Sequence, residues 1–310
     1  MSKTVPFSKV EGLGNDFVVV DLRPGRAAFE AKELLQTPQV VRDVCDRHFG
    51  VGADGILAIL PGVEGDARMR VLNADGSEAE MCGNGIRCVA KVLFEDDADL
   101  RKPVIRIDTG AGLLECAVDA NDQQVATVAV QMGRPRLTRA EIPMGGEPGD
   151  VAVRTRMSIS DNDFVFTAVS MGNPHVVIFV DDPAVDLRQL ATTFGPRIEN
   201  APLFPKRTNV EFARVRGSEI DLVVWERGCG ITLACGTGAC ATVVAAYLEG
   251  RLPGNKETPV HLLGGTLYIN VDTGSEPSEG DASRRPVGVR MRGPARRVFT
   301  ADLAIASVTK

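Results

Sequence analysis

Two cysteines lie in matching glycine-rich turns, a setting typical of reactive thiols. Cys82 belongs to the segment MCGNG (residues 81–85), and Cys235 belongs to the segment ACGTG (residues 234–238). An apolar segment with helical spacing follows each turn. The N–H groups at a helix N-terminus are unpaired, and their partial positive charge favours bound anions and thiolates. The pattern therefore predicts two reactive thiols, each beside an anion-binding helix end.

The two halves of the chain repeat one order of features. Cys82 and Cys235 are 153 positions apart in a chain of 310 residues. Asn73 and Glu226 each precede their cysteine by nine positions. Because these features recur in the same order, the sequence indicates a duplicated unit rather than chance similarity between segments rich in Gly and Val. A Gly-Asn pair followed by an apolar strand also occurs twice, at residues 14–21 and 172–181.

Length and composition are those of a soluble protein with two domains of ordinary size. The chain has 310 residues, of which 44% are hydrophobic and 25% are charged. With 35 Lys and Arg against 41 Asp and Glu, the formal net charge is −6. Nucleic acids and anionic membranes attract basic surfaces, so this balance argues against both as partners.

The cysteine and histidine pattern argues against disulfides and against a metal site. There are seven cysteines, an odd number, and there is no Cys-x2-Cys pair. The three histidines, His48, His175 and His261, are far apart in the sequence. The first residues lead directly into strand-like sequence rather than into a secretory signal. We therefore expect a reduced, cytoplasmic protein without structural zinc.

Two glycine-rich segments resemble other kinds of site only superficially. Residues 228–248 carry no charge, as a membrane span would, but four glycines interrupt the first half of the segment. We interpret it as a loop that leads into a buried central helix. Residues 50–55 contain three glycines but follow a helix and precede a strand, the reverse of a dinucleotide-binding turn. The sequence therefore predicts neither a membrane span nor a nucleotide loop.

Strand-like segments separated by turns dominate the chain. Helices are predicted at residues 31–49, where Pro38 splits the helix, at 186–194, and after each cysteine turn. Residues 273–286, rich in Ser, Gly, Glu and Pro, are expected to form a mobile surface loop. One central helix per half, with few crossover helices, predicts an α+β fold rather than a doubly wound parallel sheet. Strands are predicted at residues 5–10, 17–21, 56–60, 68–72, 104–108, 113–118, 125–132, 164–171, 176–180, 210–216, 219–225, 260–263, 266–271, 287–291 and 297–302.

Seven motifs, in order along the chain, resemble those of the diaminopimelate epimerase family. They span nearly the whole chain, and the set is far more specific than a single Cys-Gly-x-Gly motif. The motifs are GLGNDF (residues 12–17), NADGS (73–77), CGNG (82–85), GNPH (172–175), RTNV (207–210), ERG (226–228) and ACGTG (234–238).

The resemblance implies two pseudo-symmetric domains, each a mostly antiparallel β-sheet wrapped around a central α-helix. The first would comprise residues 1–133, completed by a C-terminal strand at 294–310, and the second residues 134–293. The active site would lie in the cleft between them. The implied reaction interconverts LL- and meso-2,6-diaminopimelate, a small-molecule substrate, in lysine biosynthesis. Neither pyridoxal phosphate nor a metal nor another cofactor is expected, and the family suggests a cytoplasmic homodimer.

Inversion at a carbon centre explains why two thiols would be needed. A proton leaves one face and another arrives on the opposite face, so one thiolate base and one thiol acid serve best. The resemblance assigns these roles to Cys82 and Cys235, with His175 and Glu226 beside them. Backbone N–H groups at the helix ends would hold the α-carboxylate, and Arg227 suits the distal carboxylate. The substrate-binding residues that the motifs imply are Asn15, Asn73, Gly83, Asn84, Asn173, Asn209, Glu226, Arg227, Gly236 and Thr237.

Several positions depart from the family pattern and leave the side-chain specificity open. Glu11 stands where many members have His, and Gly55 stands where some have a substrate-contacting Gln. Ile231 replaces a frequent Glu in the loop before the second cysteine. Lys206 and residues 273–286 also differ from the pattern.

Two alternatives to this function remain at the level of sequence. A racemase of the related proline type would share the paired thiols but would need no ligands for a distal carboxylate. Asn73, Asn209 and Arg227 favour diaminopimelate over that substrate. A redox-sensing or metal-binding module would use the cysteines without catalysis. Asn15 and Asn173 also fit a purely structural role as turn residues.

Overall fold

The computed structural model describes residues 4–35, 37–274 and 285–304. The chain divides into two compact units, Met1–Val130 together with Gly293–Lys310, and Gln131–Arg292. Two predictions fall partly outside the described residues: positions 275–284 of the surface loop and positions 305–310 of the C-terminal strand.

The first unit is a sheet packed on a buried helix. Two short helices, α1 (Lys32–Leu35) and α2 (Pro38–Cys45), precede that helix, α3 (Gly83–Asp96), and 3-10 turns lie at Phe29–Ala31 and Ala98–Leu100. The strands are β1 (Thr4–Gly12), β2 (Asn15–Asp21), β3 (Gly55–Pro61), β4 (Ala67–Asn73), β5 (Glu78–Ala79), β6 (Val104–Thr109), β7 (Gly112–Asn121) and β8 (Gln124–Gln131).

The second unit is built in the same way. Helix α4 (Leu187–Glu199) precedes the buried helix α5 (Gly236–Leu248). The strands are β9 (Thr155–Ile159), β10 (Asn162–Ser170), β11 (Pro174–Phe179), β12 (Asn209–Arg216), β13 (Glu219–Glu226), β14 (Gly230–Ile231), β15 (Glu257–Leu262), β16 (Gly265–Asp272) and β17 (Gly288–Pro294). The last strand, β18 (Arg296–Ala304), pairs with β1 in the first unit.

Strand pairing shows that the two units share one topology. In the first unit β1–β2 is antiparallel, β2–β3 parallel, β3–β4 antiparallel, β4–β6 parallel and β6–β7 antiparallel. In the second unit the same succession runs β10–β11, β11–β12, β12–β13, β13–β15 and β15–β16. The predicted α+β class and the predicted duplication are therefore confirmed.

The shared topology defines equivalent positions in the two units. In the parallel pairs, Phe17 lies opposite Gly55 and His175 lies opposite Asn209. In the next strand pairs, Leu57 lies opposite Val71 and Glu211 lies opposite Val224. The equivalent pairs used below are Asn15 and Asn173, Phe17 and His175, Gly55 and Asn209, Leu57 and Glu211, Asn73 and Glu226, and Cys82 and Cys235.

Each central helix begins where the sequence predicts it. Cys82 precedes α3 and Cys235 precedes α5, both with the extended backbone of an N-cap residue. Nearly every residue of α5 is buried, as expected for a helix with apolar residues on all sides. The interpretation of residues 228–248 as a loop leading into a buried helix is thus confirmed. Within the described ranges, no helix combines the length and apolarity that a membrane crossing requires.

The structure differs from the sequence prediction in a few elements. The helix predicted at residues 31–49 is shorter and ends at Cys45, and Pro38 begins its second part, where a missing N–H is tolerated. Helix α4 continues past residue 194 to Glu199 despite Pro196, because Ile198 is buried in the core of the second unit. Strands β5, β9 and β14 were not predicted; β5 and β14 have two residues each.

Gly195 on α4 offers a test of the packing in the second unit. A Cβ at Gly195 would lie 2.5 Å from Cγ of Trp225, so Gly195→Ala must displace the ring. We expect the free energy of unfolding to fall by about 1–3 kcal/mol, partly offset by the higher helix propensity of Ala. Urea unfolding followed by fluorescence of Trp225, the one tryptophan, measures the change. Gly149→Ala, where a Cβ meets open space, is the control; equal stability of the two variants would contradict the packing argument.

Candidate active site

The first group of predicted residues surrounds the start of α3. Sγ of Cys82 accepts a hydrogen bond from the Gly85 N–H at 3.3 Å and lies 3.9 Å from Oδ1 of Asn15. The Asn84 side chain donates to the same Asn15 oxygen at 3.3 Å. Gly83 is the first residue of the helix and is buried. The structure therefore brings Asn15, Gly83 and Asn84 together around the Cys82 sulfur.

A network of charges that the sequence analysis missed fixes Asn15. Its amide donates to Oδ2 of Asp54 at 2.6 Å, and Arg47 donates to Oδ1 of Asp54 at 2.7 Å. Arg47 also pairs with Asp16, as does the buried Lys9. Burial opposes ionisation of Asp16, but hydrogen bonds from Arg47 and Lys9 outweigh it and lower the pKa of this carboxyl. The oxygen of Asn15 consequently points toward Cys82 and Asn84.

A buried arginine, also missed in the sequence, supports the start of α3. Arg87 is 0% exposed and donates to the Gly83 carbonyl at 3.0 Å, to Oδ1 of Asn84 at 3.0 Å and to the Pro294 carbonyl at 3.2 Å. These bonds hold the first turn of the helix and orient the Asn84 amide. The guanidinium also places a positive charge beneath the helix end that is predicted to bind an anion.

The predicted ligand Asn73 and the position Gly55, where some family members have Gln, lie on two neighbouring strands. Asn73 ends β4, and its amide donates to Oγ of Ser77 at 3.0 Å. At Gly55, a Cβ would lie 2.5 Å from the carbonyl oxygen of Leu72. A side chain at Gly55 would therefore require the neighbouring strand β4 to shift.

The second group surrounds the start of α5. Cys235 is only 5% exposed, and its sulfur lies 3.5 Å from Oγ1 of Thr237. Burial raises the pKa of the Cys235 thiol well above 9.0, and the charges of Glu226 and Glu211 raise it further. Hydrogen bonds from Thr237 and the backbone act in the opposite direction but are weaker. Burial and the two carboxyl groups therefore favour the neutral thiol form of Cys235.

His175 lies in a buried polar pair beside this thiol group. Its Nδ1 is 2.7 Å from Oε1 of Glu211, and its Nε2 is 2.9 Å from Oδ1 of Asn173. Both His175 and Glu211 are fully buried. The sequence analysis selected His175 and Asn173 but missed Glu211, whose signal was a single acidic residue between Val210 and Phe212 in an apolar strand.

The loop that carries Glu226 and Arg227 is held by two buried side chains. The Asn209 amide donates to the Pro174 carbonyl and accepts from the Arg227 N–H, each at 2.9 Å. Asn209 therefore joins this loop to the first residue of β11, in addition to its predicted role as a substrate ligand. The Arg227 side chain is exposed, and Thr232 donates to the carboxylate of Glu226.

Glu199 at the end of α4 is the second of these side chains, and it too was missed in the sequence. It accepts from Nε1 of Trp225 at 2.7 Å, from the Gly228 N–H at 2.9 Å and from Arg207 at 3.1 Å. It therefore holds both sides of the Glu226–Arg227 segment. Among the residues that the structure describes, no three His, Cys, Asp or Glu side chains group as a metal site.

Solved structures share this duplicated fold. A hydroxyproline epimerase from Agrobacterium vitis, solved with bound trans-4-OH-L-proline, superposes with a TM-score of 0.67 at 15% identity, covering 97% of this chain and 91% of that chain. A methylitaconate-delta-isomerase superposes with a TM-score of 0.64 at 14% identity, covering 100% and 98%. These likenesses show the fold alone: the chain belongs to the class of proteins that have this duplicated fold.

Sequence comparison then places the chain within that class: it belongs to the diaminopimelate epimerase family. The family description "Diaminopimelate epimerase" matches residues 7–138 and 167–287. The diaminopimelate epimerase of Desulfitobacterium hafniense is 46% identical over 293 residues, 94% of this chain and 95% of the relative. That of Thermosynechococcus vestitus is 46% identical over 309 residues, 97% and 99% of the two chains. The resemblance drawn from the seven motifs is confirmed.

The raised pKa of Cys235 predicts how this thiol reacts with an alkylating reagent. Only the thiolate reacts, so the alkylation rate of Cys235 should rise with pH and reach half of its maximum above pH 9.0, the ordinary thiol value. Iodoacetamide labelling across a pH series, resolved by peptide mass spectrometry, measures each cysteine separately. The exposed Cys229 is an internal control. A half-maximum for Cys235 below that of Cys229 would contradict the electrostatic argument.

Proposed function

We propose that this chain interconverts LL- and meso-2,6-diaminopimelate, with Cys82 and Cys235 as the two proton-transfer groups. Membership of the diaminopimelate epimerase family supports the substrate. The observation that carries the mechanism is the repeated placement of a cysteine before the buried helix of each unit. Inversion of a carbon centre needs two such groups, one for each face of the carbon.

The proposed reaction uses the two sulfurs in turn. One sulfur, as thiolate, removes the proton from Cα, and the electron pair of the C–H bond delocalises into the adjacent carboxylate. The other sulfur, as thiol, donates its proton to the opposite face of the same carbon. The first sulfur is then a thiol and the second a thiolate, so the reverse reaction starts from the state that the forward reaction leaves. No electrons are exchanged with any other group.

The starts of α3 and α5 supply the electrostatic stabilisation in this scheme. N–H groups of Gly83, Asn84, Gly236 and Thr237 carry partial positive charge without intrahelical partners. Fixed donors of this kind stabilise the negative charge that develops on the carboxylate as the proton leaves. In this scheme, residues of both units act on one carbon.

The remaining predicted residues are proposed as substrate ligands and as neighbours of the thiols. His175 and Glu226 would adjust the protonation of the cysteines, and Arg227 would bind the distal carboxylate through two parallel hydrogen bonds. We also propose a cytoplasmic homodimer that acts in lysine biosynthesis without a cofactor, as the family resemblance implies. The proposed amide ligands are Asn15, Asn73, Asn173 and Asn209.

Deuterium incorporation tests the proposed function. LL-diaminopimelate incubated with the protein in deuterated water, without added cofactor, should gain deuterium only at the inverted centre. Cys82→Ala and Cys235→Ala should each abolish inversion, because one proton-transfer group is lost, whereas the corresponding Ser variants should retain partial exchange. Cys229→Ala is the control and should invert at the wild-type rate. Inversion that survives in either active-site Ala variant, measured by chiral chromatography, would rule out the two-thiol mechanism.

Arg227→Met distinguishes diaminopimelate from an amino acid with one carboxylate. The exposed guanidinium is proposed to bind the distal carboxylate, so its loss should raise KM for diaminopimelate about tenfold or more. Arg216→Met removes a surface arginine that pairs with Asp221 and should leave KM unchanged. Steady-state kinetics of both variants measure the difference. Unchanged kinetics for Arg227→Met would favour a racemase of the proline type.

A further inference from the structure

The second unit contains a buried polar pair that the fold itself does not need. His175 on β11 and Glu211 on β12 are each 0% exposed. At the equivalent positions the first unit has Phe17 and Leu57, which are also buried. The same topology therefore forms with two apolar side chains, and these pack without the desolvation penalty of ionisable groups. Packing alone does not account for His175 and Glu211.

Close approach through a glycine places Glu211 next to the sulfur of Cys235. A Cβ on Gly238, the third residue of α5, would lie 2.9 Å from Oε1 of Glu211 and 3.3 Å from Sγ of Cys235. The carboxyl and the sulfur therefore face the same point on the first turn of the helix. In the first unit a Cβ on the equivalent Gly85 would lie 3.0 Å from Cδ2 of Leu57. At this point of the helix, Cys235 thus has a carboxyl group as its neighbour, whereas Cys82 has an apolar side chain.

The Glu211 carboxyl is only partly satisfied by hydrogen bonds. Its Oε1 faces His175, whereas its Oε2 is buried without a hydrogen-bond partner among the described residues. Such atoms are rare in cores, and a catalytic role is one of the reasons for which they are kept. The charged and polar groups that face the Cys235 thiol are Glu226 from β13, Glu211 from β12 and Thr237 from α5. Burial raises the pKa of the Glu211 carboxyl above its usual value, against the opposing effect of His175. When ionised, Glu211 and Glu226 both disfavour a thiolate at Cys235.

We propose that Glu211 is a positioning residue for proton transfer: it orients His175 and keeps Cys235 as the neutral thiol, the proton donor of the resting protein. In the proposed step the Sγ–H bond of Cys235 breaks, the proton goes to the substrate Cα, and the sulfur keeps the electron pair. In the first unit Leu57 stands in place of a carboxyl group, and the other sulfur, Cys82, takes the role of the group that accepts the proton from Cα. This inference rests on the proposed function and adds a direction to it.

Glu211→Gln tests this proposal because Gln keeps the size and a hydrogen-bonding oxygen but lacks the charge. The kcat for inversion should fall about tenfold or more, with KM changed less than about twofold. In the same variant, the pH profile for alkylation of Cys235 should move to lower pH, because a neighbouring negative charge is gone. The profile for Cys82 should stay in place. If the role of Glu211 were merely structural, Glu211→Gln would not move the alkylation profile of Cys235 while leaving that of Cys82 in place.

A second Glu–His pair in the same unit provides the matched control. Glu219 lies 3.0 Å from His261 on the protein surface, far less buried than the pair at Glu211. Glu219→Gln makes the same chemical change and should alter neither kcat nor the profile of Cys235. Thermal unfolding of both variants establishes that each is folded before the rates are compared.

A measurement on the wild-type protein covers the case in which Glu211→Gln does not fold. Nitrogen-15 NMR should show a slowly exchanging proton on Nδ1 of His175, hydrogen-bonded to the carboxylate. His48→Gln and His261→Gln assign the signals of the other two histidines. Absence of that proton from the wild-type spectrum overturns the proposal.

The outcomes separate this inference from the proposed function. If the wild-type protein inverts diaminopimelate and Glu211→Gln is equally fast, the role of Glu211 is overturned and the proposed function stands. The same holds if Glu211→Gln is slower but the alkylation profile of Cys235 does not shift. A wild-type protein that does not invert diaminopimelate defeats the proposed function. Even then, a shifted Cys235 profile in Glu211→Gln supports the electrostatic part of the inference.

Discussion

A glycine as the third residue of each cysteine helix is the constraint on which the site depends. Without a Cβ at Gly85 or Gly238, the neighbouring strand residue lies against the first turn of the helix, next to the sulfur. The identity of that strand residue then decides the electrostatic environment of the thiol. Larger side chains at either glycine would collide with the strand, as the 2.9 Å approach of Glu211 to a Cβ on Gly238 shows.

Duplication of the unit provides two thiols but does not by itself give them different protonation states. Two equivalent helix starts supply two thiols and two ends that are proposed to bind an anion, but identical surroundings would give both thiols the same proton affinity. A two-base reaction needs one protonated and one deprotonated group at the outset. In the second unit Glu211, Glu226 and burial favour the thiol at Cys235, whereas the first unit has Leu57 at the position of Glu211. The asymmetry lies in side chains and leaves the shared backbone topology unchanged.

Most of the fold could be predicted from the sequence, whereas the residues that support the site could not. Strand alternation and glycine turns are local signals, so most of the strands and both cysteine helices were predicted. The burial of Glu211 follows from the position of β12 between β11 and β13, a non-local fact. Arg87 likewise resembles a surface charge on a helix until its donors are seen to meet backbone carbonyls. Motif resemblance pointed to the two cysteines that are proposed to react and to their direct neighbours, but not to the side chains that hold them.

The central claim is that the buried polar pair of the second unit serves chemistry and not folding. The most direct test is the inversion rate of the double variant His175→Phe/Glu211→Leu, which gives the second unit the residues that the first unit has at these positions. We predict a folded protein with a free energy of unfolding equal to or above that of wild type, and with inversion of diaminopimelate reduced at least about a hundredfold. A folded double variant that inverts the substrate at the wild-type rate would contradict the account.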